Sequence, residues 1–105
     1  MEQPNIEYFI KLSNNNASFK QKLIEVVKYE LPLEIEFYIN CIKQDDWEKA
    51  AETVHKLRHK IGVLGMEKGY KVAEEYEKNL REGSKEMQSE FEQSLTIINQ
   101  FVKLL

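Results

Sequence analysis

The sequence predicts an all-α fold, an antiparallel up-down four-helix bundle with a short extra helix at the N-terminus. Apolar residues recur at spacings of three and four along most of the chain, which is the period of amphipathic helices. Of 105 residues, 42% are hydrophobic and 31% charged, with only four Gly and two Pro. Short turns between successive helices favour antiparallel neighbours. We therefore expect one domain over residues 1–105, burying roughly 60 to 70% of its unfolded surface.

The first half of the chain contains two predicted helices. A short one opens near Asn5 and ends at the three asparagines 14–16. The second starts at a capping box formed by Ser18 and Gln21. Pro32 removes a backbone donor from this long helix, so we expect a kink or brief break just before it. The apolar residues that recur at helical spacing are Ile6, Phe9, Ile10 and Leu12 in the first helix, then Phe19, Leu23, Val26, Val27, Ile35, Tyr38, Ile39 and Ile42 in the second.

The third predicted helix runs from Asp45 to Gly65, and the rest of the chain is expected to support it. Asp45 and Glu48 have the spacing of an N-cap and a third helical residue, and Gly65 suits the left-handed position that closes a helix. One face carries the apolar residues Trp47, Ala50, Ala51, Val54, Leu57, Ile61 and Leu64, and the opposite face carries Lys49, Lys56 and Lys60.

Two further helices complete the prediction. After a short MEKG connection, a helix from Tyr70 to Arg81 is expected to bury Ala73, Tyr76 and Leu80. Gly83 ends it and Ser84 can cap the last helix. The last helix aligns Met87, Phe91, Leu95, Ile98, Val102 and Leu105 along one face, widened by Ile97, Phe101 and Leu104.

His55 is the candidate functional residue because it lies on the shoulder of the apolar face. Its helical neighbours at spacings of three, four and seven are Arg58, His59 and Gly62. An imidazole there can be held by the bundle while one ring nitrogen stays in water. Free imidazole has a pKa near 6.5, so at neutral pH most of it is unprotonated and nucleophilic without help.

The segment VHKLRHKIGVLG resembles the phosphoacceptor helix of histidine phosphotransfer (HPt) domains. That pattern has a histidine, a basic residue three positions on, and a Leu-Gly pair nine and ten positions on. The resemblance implies that His55 is the phosphoacceptor, that Arg58 stabilises the phosphate, and that Leu64 and Gly65 are the closing pair. Lys56, His59, Lys60 and Gly62 are possible supporting residues. The family usually has a small residue where this chain has His59.

The resemblance also implies the partners. The glycines at 62, 65, 69 and 83 do not form a phosphate-binding loop, so the chain is expected to be a phosphotransfer intermediate and not an autonomous kinase. The phosphoryl group would come from an aspartyl phosphate on the receiver domain of a hybrid histidine kinase. It would leave to the receiver domain of a response regulator. The chain itself is expected to hold no cofactor, with magnesium on the partner receiver.

Two alternatives remain open from the residues. A helical adaptor could bind a receiver domain without phosphotransfer. This alternative stays open because His59 stands where the family usually has a small residue. His55 and His59 also form an H-x-x-x-H pair with the spacing of zinc ligands. A metal site is disfavoured because further ligands are missing and Lys56, Arg58 and Lys60 would repel a dication. Glu52 could accept a bond from the His55 ring, but a solvated surface charge is favoured.

Composition narrows the remaining function classes. A net charge of −3 disfavours nucleic-acid binding. The single cysteine, Cys41, is expected to be a small buried hydrophobe. No stretch approaches the roughly 20 apolar residues of a membrane span, and no secretory signal is evident. We therefore expect a cytoplasmic protein. We also expect it to be a monomer.

Overall fold

The computed structural model describes residues 2–105 and contains five α-helices in that part of the chain. They are α1 (Glu7–Ser13), α2 (Ala17–Lys43), α3 (Trp47–Val63), α4 (Glu67–Arg81) and α5 (Gln88–Lys103). Helix α3 packs between α2 and α4, and α5 packs against both α4 and α2, so these four helices close into a bundle. The predicted all-α class with a short N-terminal helix is confirmed.

Helix α2 differs from its prediction in two ways. Its N-cap is Asn16, whose side-chain oxygen accepts a hydrogen bond from the Phe19 amide at 3.0 Å, so the capping box predicted at Ser18 is wrong. The helix also runs through Pro32 without the predicted break. Leu31, adjacent to the proline, is fully buried and anchors this part of α2 in the core.

Helix α3 begins one residue later than its cap prediction. Asp46, not Asp45, is the N-cap, and its carboxylate accepts a hydrogen bond from the Lys49 amide at 3.1 Å. Asp45 has a left-handed φ of 55° and belongs to the preceding turn. Gly65 has a φ of 82°, as the closing position requires. The predicted apolar face is buried, with Trp47 only half-buried at its start.

The N-terminal segment covers the end of the bundle where α3 turns into α4. The Asn5 amide donates to the Leu64 carbonyl at 2.7 Å. The Glu2 carboxylate accepts hydrogen bonds from the amides of Lys68 and Gly69, at 2.8 and 3.0 Å. These two amides belong to the first turn of α4, which begins at Glu67 and not after the predicted MEKG connection. A carboxylate from a distant part of the sequence therefore caps α4.

The start of α5 was also mispredicted. Ser84 does not cap the helix: its hydroxyl accepts from the Glu86 amide at 3.2 Å, within the connecting turn. The helix begins at Gln88, after Met87 at a left-handed φ of 75°. Four residues of its predicted apolar face are fully or almost fully buried: Phe91, Leu95, Ile98 and Val102.

A buried tyrosine pair fixes how α4 sits against the bundle. The hydroxyl groups of Tyr38 and Tyr76 are 2.8 Å apart, and Tyr38 donates to the Glu92 carboxylate at 2.8 Å. Burial, together with the hydrogen bonds to Tyr76 and Glu92, raises the pKa of Tyr38 far above its usual range. Because Tyr76 is tied to the core, the orientation of the next residue, Glu77, about the α4 axis is set as well.

Two further expectations concern the single cysteine and membrane-spanning segments. Cys41 is buried, as expected, and burial raises the pKa of its thiol. Across residues 2–105, none of the helices is both long enough and apolar enough to cross a membrane.

Candidate functional site

His55 lies near the middle of α3 with its side chain 45% exposed. Its Nδ1 atom is 3.0 Å from Oε1 of Glu77 on α4. An ionised carboxylate can only accept hydrogen bonds, so Nδ1 carries the ring proton in the neutral imidazole. The lone pair is therefore on Nε2, on the exposed side of the ring. The structure fixes which nitrogen of His55 is available as a nucleophile.

Arg58 lies one turn further along α3 and turns towards the same carboxylate. Its side chain is only 16% exposed, and Nη1 is 3.6 Å from Glu77 Oε1 and 3.7 Å from Glu74 Oε2. The guanidinium group also lies over the ring of Tyr70, 5.4 Å from its centroid. His55 and Arg58 thus meet at one oxygen atom, which places a permanent positive charge beside the imidazole.

Glu77 is the residue of the site that the sequence did not reveal. Its side chain is 12% exposed, and Oε2 accepts hydrogen bonds from Nε and Nη2 of Arg81 at 3.3 and 3.1 Å. One carboxylate thus joins His55, Arg58 and Arg81. The only sequence signal was its place directly after the predicted core residue Tyr76, and no motif marked it.

Glu52 does not take the role that Glu77 has. It is exposed, and no hydrogen bond or ion pair of its side chain is found within residues 2–105. This agrees with the favoured interpretation of a solvated surface charge.

His59 stands directly beside the exposed nitrogen of His55. The two Nε2 atoms are 3.4 Å apart, and the rings are nearly perpendicular, at 86°. Because Nε2 of His55 holds a lone pair, His59 is the donor through its own Nε2–H. The position usually occupied by a small residue therefore carries a hydrogen-bond donor at the nucleophile.

The other predicted supporting residues lie in different environments. Lys56 is exposed. Lys60 is held by Glu30 and Glu34 of α2 at 3.1 and 2.7 Å, so two carboxylates offset its positive charge. Burial alone would lower the pKa of Lys60, but the two carboxylates outweigh it and raise that pKa.

Gly62 supports the site through an aromatic ring. A Cβ atom at this position would lie 3.0 Å from Cδ2 of Tyr70, so the glycine allows the close approach of that ring to α3. Since Arg58 packs over Tyr70, Gly62 helps to place the guanidinium group and need not contact a phosphate itself.

No cluster of three or more potential metal ligands from His, Cys, Asp and Glu occurs among residues 2–105. The site is thus an exposed imidazole with one carboxylate behind it, one guanidinium at its side and a second imidazole in front. This arrangement can form a bond from Nε2 to an electrophile brought by another molecule.

Comparison with known families identifies one match. The family model described as Hpt domain matches residues 18–104, which includes α2 from its second residue onwards, all of α3 to α5 and every residue of the site. No curated protein and no solved structure matched the chain.

Proposed function

The chain belongs to the Hpt domain family, and from this premise we propose that it carries a phosphoryl group between two receiver domains, with His55 as the acceptor. Membership implies histidine phosphotransfer in phosphorelay signalling. The donor would be an aspartyl phosphate on the receiver domain of a hybrid histidine kinase. The recipient would be the aspartate of a response regulator receiver domain.

The single observation that carries this proposal is the hydrogen bond from His55 Nδ1 to Glu77, which leaves Nε2 unprotonated and accessible. In the transfer step, the Nε2 lone pair forms an N–P bond while the P–O bond to the donor aspartate breaks. The carboxylate leaves, and the ring becomes a cation that still carries the Nδ1 proton. Glu77 stabilises this cation, and transfer to the next aspartate reverses the step.

Arg58 and His59 supply positive charge and a donor for the phosphoryl oxygens. The guanidinium group of Arg58 is held by Glu74, Glu77 and the Tyr70 ring. Little side-chain conformational entropy is therefore lost when it binds a phosphoryl group. The His59 Nε2–H, now hydrogen-bonded to His55, has to leave the Nε2 lone pair of His55 before the N–P bond forms, and it can then donate to a phosphoryl oxygen. Magnesium and the remaining catalytic groups belong to the receiver domain in this proposal.

The receiver domain is expected to dock across α3 and its neighbour α2. The ion pair between Lys60 and Glu34 joins these helices at the surface. Next to Glu34, the α2 side chains of Leu33 and Phe37 are each 52% exposed. Exposed apolar side chains on a helix that packs against the acceptor helix suit a protein partner that buries them during transfer.

The proposal is tested by incubating the chain with a phosphorylated receiver domain and magnesium. We expect label on the wild-type chain in an acid-labile, base-stable form, label on His59→Gln, and none on His55→Gln. Binding of the receiver without any transfer would support the adaptor function instead. Label that persists on His55→Gln would refute His55 as the acceptor.

The docking surface is tested with Leu33→Glu and Phe37→Glu. Each change should slow transfer from the receiver because a charge replaces apolar contact area, while the helical circular dichroism stays the same. Leu104→Glu is the matched control, because Leu104 is 87% exposed at the far end of the chain. Equal transfer rates in all three variants would exclude this part of α2 from the interface.

A further inference from the structure

The geometry points to a second ligand for the acceptor nitrogen: we propose that His55 and His59 together chelate a late first-row divalent cation such as Zn²⁺, which blocks phosphorylation of His55. The inference rests on the proposed function for its consequence, but the binding site is independent of it.

The distance between the two nitrogens fits a chelate. Two nitrogen ligands about 2.0 to 2.1 Å from a tetrahedral zinc ion lie about 3.3 to 3.4 Å from each other. The Nε2 atoms of His55 and His59 are 3.4 Å apart, and both side chains reach the surface. A small rotation of the rings, with His59 in the tautomer that has its proton on Nδ1, turns both lone pairs towards one shared ion.

The carboxylate behind His55 strengthens the case. Histidines that bind metal ions commonly donate their other ring N–H to a carboxylate, which fixes the tautomer and makes the ligand nitrogen more basic. Glu77 has this position, 3.0 Å from Nδ1 of His55.

The basic side chains around the two histidines are expected from the sequence to repel a dication, but this repulsion is weaker in the folded chain. Arg58 is paired with Glu74 and Glu77, and Lys60 is paired with Glu30 and Glu34. Water would complete the coordination, since the described residues provide no group of three ligands. Such an open two-nitrogen site binds reversibly, as a regulatory ion requires.

The ion and the phosphoryl group compete for the same lone pair. A metal ion on Nε2 of His55 leaves no electron pair for attack on phosphorus, so metal-bound protein cannot be phosphorylated. Magnesium does not have this effect, because it prefers oxygen ligands and is bound poorly by imidazole.

Titration calorimetry of the untagged full chain with zinc chloride, in buffer containing magnesium, tests the binding. We expect saturable binding of one ion, weakened by at least about tenfold in His55→Gln and in His59→Gln. Lys56→Gln is the matched control, since it keeps both imidazoles and removes a nearby positive charge, and it should bind at least as tightly. Nitrogen-15 spectra should show zinc-dependent shifts of both Nε2 signals. Wild-type binding weaker than about 1 mM, or unchanged binding in the histidine variants, would overturn the site.

The regulatory part is tested by adding zinc to the transfer reaction, with the receiver's own phosphorylation followed in parallel. Zinc should suppress transfer to the wild-type chain in proportion to the occupancy measured by calorimetry. Transfer that continues at full rate on zinc-saturated chain would overturn the regulatory role. If transfer never occurs with or without zinc, the proposed carrier function fails while the binding result stands.

Discussion

Replacing Glu77 by glutamine tests how the site holds and charges its imidazole. Glutamine keeps an oxygen that can accept from Nδ1 of His55 at the observed 3.0 Å, so the tautomer should be retained. What disappears is the negative charge opposite the ring. Hydrogen bonds to charged groups contribute about 1.5 to 3 kcal/mol and neutral ones about 0.5 to 1.5, so the cationic phosphorylated ring should lose about 1 to 1.5 kcal/mol relative to the neutral ring.

That loss corresponds to a roughly five- to twelvefold shift of the transfer equilibrium towards the phosphorylated receiver. The assay mixes labelled receiver with each variant and measures the partition of label at equilibrium, well below the melting temperature of every variant. Glu74→Gln is the control, because Glu74 contacts Arg58 at 3.7 Å but not His55 and is 61% exposed. We expect a change under about twofold for the control. An unchanged partition in Glu77→Gln would refute the role given to this carboxylate.

The remaining predictions concern three parts of the structure. Gly65→Ala should cost more stability than Gly83→Ala in thermal unfolding: both glycines have a φ of 82°, worth about 1 to 2 kcal/mol each, but only at Gly65 would a Cβ collide with a side chain, 2.4 Å away. Equal losses would show that the N-terminal segment moves aside at no cost. Arg58→Ala should lower the yield or lifetime of the phosphorylated chain and leave its helical content intact, whereas transfer unchanged in both directions would exclude the guanidinium. His59→Gly should also shorten that lifetime, and faster transfer would show instead that the imidazole obstructs docking. Lys60→Met should lower stability by about 1 kcal/mol at pH 7. Because the folded pKa of Lys60 is raised, this difference should persist up to about pH 10.4 and disappear as the pH rises through the folded value. A difference that survives there would reflect packing and not charge.

The errors in the predicted helix boundaries share a physical cause. Local spacing predicted Ser18, Asp45 and Ser84 as N-caps, but in the structure another residue occupies the N-cap position of each helix. The start of α4 depends on Glu2, which is 66 positions from the amide of Lys68 that it caps. Such a contact exists only after the chain has folded, so no local pattern could have indicated it.

The sequence by itself determined the helical class, the buried face of α3 and the shoulder position of His55, because these follow from the period of apolar residues and from the resemblance around the histidine. Only the tertiary structure decided which nitrogen of His55 is free to react. That choice depends on a carboxylate from α4, and packing against the buried Tyr76 aims it at α3. Packing against α4 also fixed Arg58, and packing against α2 paired Lys60 with two carboxylates. Periodicity places residues on a face of one helix, but the chemistry of this site is set by groups that meet between two helices.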